Sequence, residues 1–98
     1  MINYDELAKI FKVLNDPKRL KIINLLSTGE LCACKIQEAF DVSQPTLSHH
    51  MNVLCTPGLV SSRKEGKWMY YTLNKGKIDE VQQVIGELFI PCESAGVL

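Results

Sequence analysis

Apolar positions along the chain follow two periods, and the switch between them divides it. From Tyr4 to Leu14 they fall at Tyr4, Leu7, Ile10, Phe11 and Leu14, which is helical spacing with one apolar face. Asn15-Asp16-Pro17 restarts the chain. Asp16 suits an N-cap, and Pro17 suits the first helical position, where no N–H is needed. A second helix is predicted through Leu20, Ile22, Ile23, Leu25 and Leu26, ended by Ser27-Thr28-Gly29. Glu30-Leu31-Cys32 reads as a short link. A third helix follows from about Ala33 to Phe40, then a tight turn at Asp41-Val42. Ser43 can cap a fourth helix to about Leu54, with Pro45 tolerated in its first turn, and Thr56-Pro57-Gly58 breaks it.

The character then changes. Leu59-Val60-Ser61-Ser62-Arg63 and Trp68-Met69-Tyr70-Tyr71-Thr72-Leu73 read as two strands joined by a turn at Lys64-Glu65-Gly66-Lys67. A last helix carries Ile78, Val81, Val84, Ile85, Leu88 and Phe89 on one stripe, Pro91 stops it, and residues 91–98 read as a loose tail. The expected fold is mainly α with a small β-hairpin: a winged helix-turn-helix of four helices, a two-stranded wing and a C-terminal helix. Residues 1–98 form a single domain, without repeats or linkers. The stripes of the first and last helices, Leu7, Ile10, Phe11 and Leu14 against Val81, Ile85 and Leu88, exceed what one copy of so small a core can cover. A homodimer through these helices is expected, with two recognition helices about one DNA turn apart.

Composition narrows the class. The chain has 98 residues, 46% hydrophobic and 22% charged, which suits one folded domain and excludes a disordered or collagen-like chain. No apolar run approaches the roughly 20 residues needed to span a bilayer, so no membrane partner is expected. Met1-Ile2-Asn3-Tyr4-Asp5-Glu6 lacks the basic and apolar regions of a signal peptide, and a cytoplasmic location follows as the expectation. The net charge is zero, but it is unevenly spread. Residues 1–77 hold all 11 Lys and Arg and 7 of the 11 Asp and Glu, a balance of +4, whereas residues 78–98 balance at −4. That pattern points to a body that binds a polyanion and an acidic segment held away from it.

Three boxes carry a resemblance. Glu30-Leu31-Cys32-Ala33-Cys34, then Ser43-Gln44-Pro45-Thr46-Leu47-Ser48-His49-His50, then Arg63-Lys64-Glu65-Gly66-Lys67-Trp68-Met69-Tyr70-Tyr71 occur in order, and over residues 4 to 90 the chain resembles the arsenic-repressor (ArsR/SmtB-type) family. The resemblance implies a homodimeric winged-helix repressor that sits on operator DNA and releases it when a thiophilic ion binds. It also implies that cysteines at the start of the third helix are the ligands. One family pattern, ELCxCxxC, has a third cysteine one helical turn later; here that position is Gln37.

Each box also has a plainer reading. On the fourth helix Leu47, Met51 and Leu54 share a side, with Pro45, His49 and Asn52 opposite and Thr46 and Ser48 flanking. Ser43, Gln44, Thr46, Ser48, His49, His50 and Asn52 are the expected DNA-facing set; the plainer reading is a polar solvent face. Arg63, Lys64 and Lys67 at the hairpin tip are expected against phosphates, against the alternative of a solvated turn. One of the alternating pairs Trp68/Tyr70 and Met69/Tyr71 packs inward and the other lies at the surface. His49 and His50 diverge on a helix and cannot chelate one ion together. With no other histidine, the Asp/His zinc site of other family branches lacks its His ligands here, and Asp79, Glu80 and Glu87 read as a solvated face.

Cys32 and Cys34 are the chemical centre. Soft thiolates select As(III) or Sb(III), or Cd(II), Pb(II) or Cu(I), over hard ions, and a helix N-terminus favours the thiolate. The plainer reading is two small buried side chains. A disulfide is not expected, because residues two apart are poorly placed for one and the chain carries no export signal. On a regular helix the two side chains point about 200° apart, so they can share an ion only if the chain leaves helical geometry near Ala33. Ion binding is therefore expected to hold open the first turn of the third helix and shift the recognition helix out of the groove. A third ligand can come from Cys55, Cys92 or a solvent oxygen; core packing and an incidental tail residue are the plainer readings of those two cysteines. No organic cofactor is implied. A repressor of the same fold sensing oxidants or reactive sulfur is the alternative. A thiol oxidoreductase lacks its CxxC and βαβ pattern, and no hydrolytic arrangement stands out, so an enzyme is not expected.

Overall fold

Polar side chains at the helix starts set the boundaries in a computed structural model that describes residues 2–91. The Asn3 side chain accepts from the Glu6 N–H and begins α1 (Tyr4–Leu14), and Asp16 accepts from the Lys18 and Arg19 N–H groups at the start of α2 (Pro17–Leu26). Ser43 does the same for α4 (Gln44–Cys55) through the Thr46 N–H, and Asn74 for α5 (Lys75–Glu87) through the Lys77 N–H. The intervening α3 (Ala33–Ala39) has no side-chain cap; Cys32 occupies that position in an extended conformation, φ −76° and ψ 157°. Of the expected tail, residues 92–98 lie outside the described residues.

The segment expected to be a link is a strand. β1 (Leu31–Cys32), β2 (Val60–Glu65) and β3 (Trp68–Leu73) form a three-stranded antiparallel sheet in the order β1-β3-β2. Leu31 pairs with Tyr71 and Cys32 with Tyr70, while β2 pairs along β3 from Val60↔Leu73 to Glu65↔Trp68. A two-residue strand carries no periodicity of its own; its partner, about forty positions on, decides it. The hairpin is also tighter than expected. Gly66, at φ +62°, and Lys67 alone make the turn, so Lys64 and Glu65 belong to β2.

The core gathers Ile22, Leu26, Ile36, Met51, Leu54 and Leu59, none more than 2% exposed. Leu47, Met51 and Leu54 of α4 point inward, as their spacing predicts. Register partners share a sheet face. Leu31, Tyr71 and Leu73 pack toward the core, while Cys32, Tyr70, Arg63 and Thr72 stand on the opposite face.

His50 departs from expectation. It is 7% exposed and lies on the inner side of α4, four residues before Leu54, so it does not belong to the outward-facing set. Its Nδ1 lies 3.1 Å from Arg19 Nη1. Guanidinium can only donate, so Nδ1 accepts and the ring is neutral with its proton on Nε2. Arg19 also donates through Nε to the Val13 carbonyl and lies 3.8 Å from an Asp16 oxygen, so α1, α2 and α4 meet on one polar cluster.

Two predictions follow from this packing. Leu54, 0% exposed, makes Leu54→Ala costly by about 2–5 kcal/mol in denaturant unfolding, whereas Leu20→Ala, at 51% exposure, changes stability by about 0.5 kcal/mol or less. Burial lowers the His50 pKa below its ordinary 6.5, so the unfolded chain takes up the proton first as pH falls. The His50 contribution is complete above 6.5 and is lost as pH drops from there through the depressed folded value. Thermal unfolding followed between about pH 8 and 5 therefore falls more steeply for the parent than for His50→Gln; equal slopes contradict this role.

Candidate DNA-facing surface and thiolate site

On α4 the exposed side chains other than Pro45 are polar, with no Lys, Arg, Asp or Glu among them. Gln44, Ser48 and Asn52, four apart, form one exposed ridge, and His49 flanks it. Ser43 is exposed at the helix start, but its hydroxyl is engaged: it accepts from the Thr46 N–H and donates to Thr46 Oγ1 at 2.9 Å. Thr46 is half-buried against it. Amide, hydroxyl and imidazole groups on such a ridge can bond base edges or phosphates.

The hairpin next to it is less basic than its sequence. Lys64 and Lys67 are exposed, and the Lys67 ammonium lies 5.7 Å from the Trp68 ring centre. Arg63 has three of its five N–H groups on carboxylates. Its Nε and Nη2 donate to the two oxygens of Glu30 at 2.9 and 2.7 Å, its Nη1 donates to Glu65 at 2.7 Å, and the guanidinium stacks 4.5 Å over Tyr70. Thr72 Oγ1 donates to the same Glu30 carboxylate at 3.2 Å. The hydrogen bonds from Arg63 hold the Glu30 carboxyl below its ordinary pKa, and those to Glu30 and Glu65 push the Arg63 pKa up. Sequence reasoning missed Glu30 as a wing residue; a carboxylate 33 positions from its arginine gives no local signal.

The cysteines come together. Cys32 is half-buried at the end of β1 and Cys34 is exposed in the first turn of α3, their Cα atoms are 5.4 Å apart, and the two sulfurs are joined as a disulfide. The expectation against a disulfide is therefore corrected. Only Cys34 lies on the helix; Cys32 is extended, the chain turns at Ala33, and the helical divergence of about 200° does not apply. Reduced by two electrons to thiolates, the same two sulfurs would be the first two ligands for a soft cation.

The third expected ligand does not join them. Cys55 is half-buried against the core near Tyr71, on the other face of β3 from Cys32, and burial pushes its thiol pKa up. Among the described residues no group of three or more His, Cys, Asp or Glu side chains could hold a metal ion, and Cys92 lies outside them. Gln37 has a different task, its Nε2 donating to the Val42 carbonyl at 3.4 Å and tying α3 to the turn before α4.

The expected dimer residues divide into three groups. Leu7, Ile10 and Val81 are already buried within one chain, Leu14 and Ile85 are half-buried, and Phe11 and Leu88 remain exposed. Tyr4, Phe89 and Ile90 are exposed as well, and a groove of about 490 Å³ runs between α1 and α5. No helix among the described residues is long and apolar enough to cross a membrane.

Known proteins share this arrangement. Residues 16–62 match the family described as bacterial regulatory protein, arsR family. The arsenical resistance operon repressor of Staphylococcus xylosus is 52% identical over 82 residues, 84% of this chain and 79% of that protein. The cadmium resistance transcriptional regulatory protein CadC homolog of Staphylococcus aureus is 40% identical over 86 residues, 87% of this chain and 69% of that protein. Among solved structures, HlyU from Vibrio cholerae N16961 matches with a TM-score of 0.74 at 28% identity, over 89% of this chain and 95% of that one. With its helix-turn-helix, its hairpin and these relatives, the chain has the winged helix-turn-helix fold and belongs to the arsR family of bacterial regulatory proteins.

Proposed function

We propose that this arsR-family chain is a homodimeric repressor that binds operator DNA and releases it when a thiophilic ion, As(III) or Sb(III) first and Cd(II) or Pb(II) next, is held by Cys32 and Cys34. The observation that carries this reading is the convergence of the two sulfurs at the junction between β1 and α3, directly before the helix-turn-helix. The names of the S. xylosus and S. aureus relatives, arsenical and cadmium resistance regulators, support the choice of ion. No unwinding of α3 is needed, because Cys32 precedes its first turn. A third ligand is then a solvent oxygen or Cys92. The DNA-facing groups are Ser43, Gln44, Thr46, Ser48, His49 and Asn52 on α4, with Lys64 and Lys67 on the wing. The dimer forms through Phe11 and Leu88 with the apolar surface around them.

A second reading rests on the same sulfurs. Peroxide can oxidise the two thiols to the disulfide, both thiol protons and two electrons passing to the peroxide to give two waters, so the box can sense an oxidant instead of an ion. Gel-shift titration of the reduced protein on its promoter DNA with arsenite, antimonite, cadmium and peroxide separates the two.

Two outcomes are expected. Gln44→Ala or His49→Ala weakens operator binding by about 1–3 kcal/mol and random-DNA binding much less, while Lys64→Gln and Lys67→Gln weaken both and flatten the salt dependence. Equal losses on both DNAs for all four variants contradict the assignment. Cys32→Ser and Cys34→Ser each abolish release by arsenite and leave ion-free operator binding nearly intact, whereas Cys55→Ser responds almost as the parent does. A Cys32/Cys34 double variant that still releases DNA at the parental arsenite concentration overturns the ion reading.

A further inference from the structure

The cysteine box and the wing are one hydrogen-bonded unit. Cys32 pairs with Tyr70 on β3, and β3 pairs with β2, whose Arg63 stands directly across from the same Tyr70. Glu30, immediately before β1, spans the sheet to grip Arg63 with both carboxylate oxygens, and Glu65 holds the remaining arm. One positive charge thus lies between two negative ones. A guanidinium with three of its five N–H groups on two carboxylates has its charge already compensated, so it adds no net attraction for a phosphate, and the cluster of Arg63, Glu30 and Glu65 carries a net negative charge. The converged sulfurs and the gripped arginine occur together in one conformation.

Resting on the ion-or-oxidant reading above, we infer that Glu30 is a positioning residue that masks Arg63 when the two sulfurs are held together, so the state of the cysteine box sets the positive charge of the wing. Holding Cys32 and Cys34 together keeps residues 30–32 in the sheet and Glu30 on Arg63. When the thiols are free and apart, β1 is no longer pinned to α3, Glu30 withdraws with it, and Arg63 turns to a phosphate. The Glu30 carboxylate and a phosphate compete for the one Arg63 charge, and that competition is the coupling between the sites.

The test is the slope of log K against log salt concentration for operator binding, measured on the reduced ion-free protein and on the arsenite-loaded protein. Each phosphate contact contributes a slope of about 0.9. The parent is expected to lose about one such contact per protomer on loading. Glu30→Gln is expected to keep the steep slope in both states while still binding arsenite, read from its sulfur-to-arsenic absorption. In an Arg63→Gln background, Glu30→Gln should change neither slope, which a merely structural Glu30 would not satisfy. If Glu30→Gln fails to fold by circular dichroism, Glu30→Asp, which keeps the charge but shortens the reach, is expected to show an intermediate slope change. A parent slope that does not change on loading, or a Glu30 variant whose slope changes as the parent's does, overturns the mask. Absent sulfur-to-arsenic absorption overturns the ion reading alone; the peroxide-oxidised protein, with its sulfurs joined, then takes the place of the loaded state in the same comparison.

Discussion

The pairing of Leu31-Cys32 with Tyr70-Tyr71 is the constraint on which the rest depends. It extends the hairpin to three strands and draws Cys32 out of helical geometry, so that the chain turns at Ala33 and brings the sulfur of Cys34 to that of Cys32. It also places Glu30 beside Arg63. Without that strand the two cysteines would sit on opposite sides of a helix start. The wing would then be an isolated ribbon, and such two-stranded units are marginal in water.

A protein of zero net charge approaches DNA through what its surface leaves unpaired. The ridge Gln44, Ser48 and Asn52 is neutral, so it offers hydrogen-bond pattern rather than attraction. In the proposed interface, attraction from the wing comes from Lys64 and Lys67, because Arg63 is compensated by two carboxylates. On a wing with only Lys64 and Lys67 clear of carboxylates, gaining or losing one charge is a large fraction of the attraction the wing supplies. The polar cluster of Asp16, Arg19 and His50 fixes the other variable, the position of α4, by joining it to α1 and α2 from the buried side.

Much of this was legible in the sequence because it is local. Asn3, Asp16, Ser43 and Asn74 announce helix starts through their own side chains, and the stripe Leu47, Met51 and Leu54 announces a buried face. What was not legible is non-local. β1 exists because of a partner about forty positions away, and Arg63 looks like a phosphate ligand until Glu30 is folded against it. His50 shared a polar motif with His49, yet one residue of helical rotation turns it inward, where Arg19 supplies the partner its burial requires. A disulfide was not expected between residues only two apart, but the extended Cys32 and the turn at Ala33 bring the two sulfurs together.

The central claim is that Cys32 and Cys34 hold one inducer in a conformation that operator DNA disfavours. Reciprocity makes this directly measurable, since the factor by which arsenite weakens DNA binding must equal the factor by which DNA weakens arsenite binding. The decisive measurement is arsenite affinity of the reduced protein, by calorimetric titration, with and without saturating operator DNA. Arsenite is expected to bind more weakly on DNA by that same factor, and an affinity unchanged by DNA contradicts the coupling.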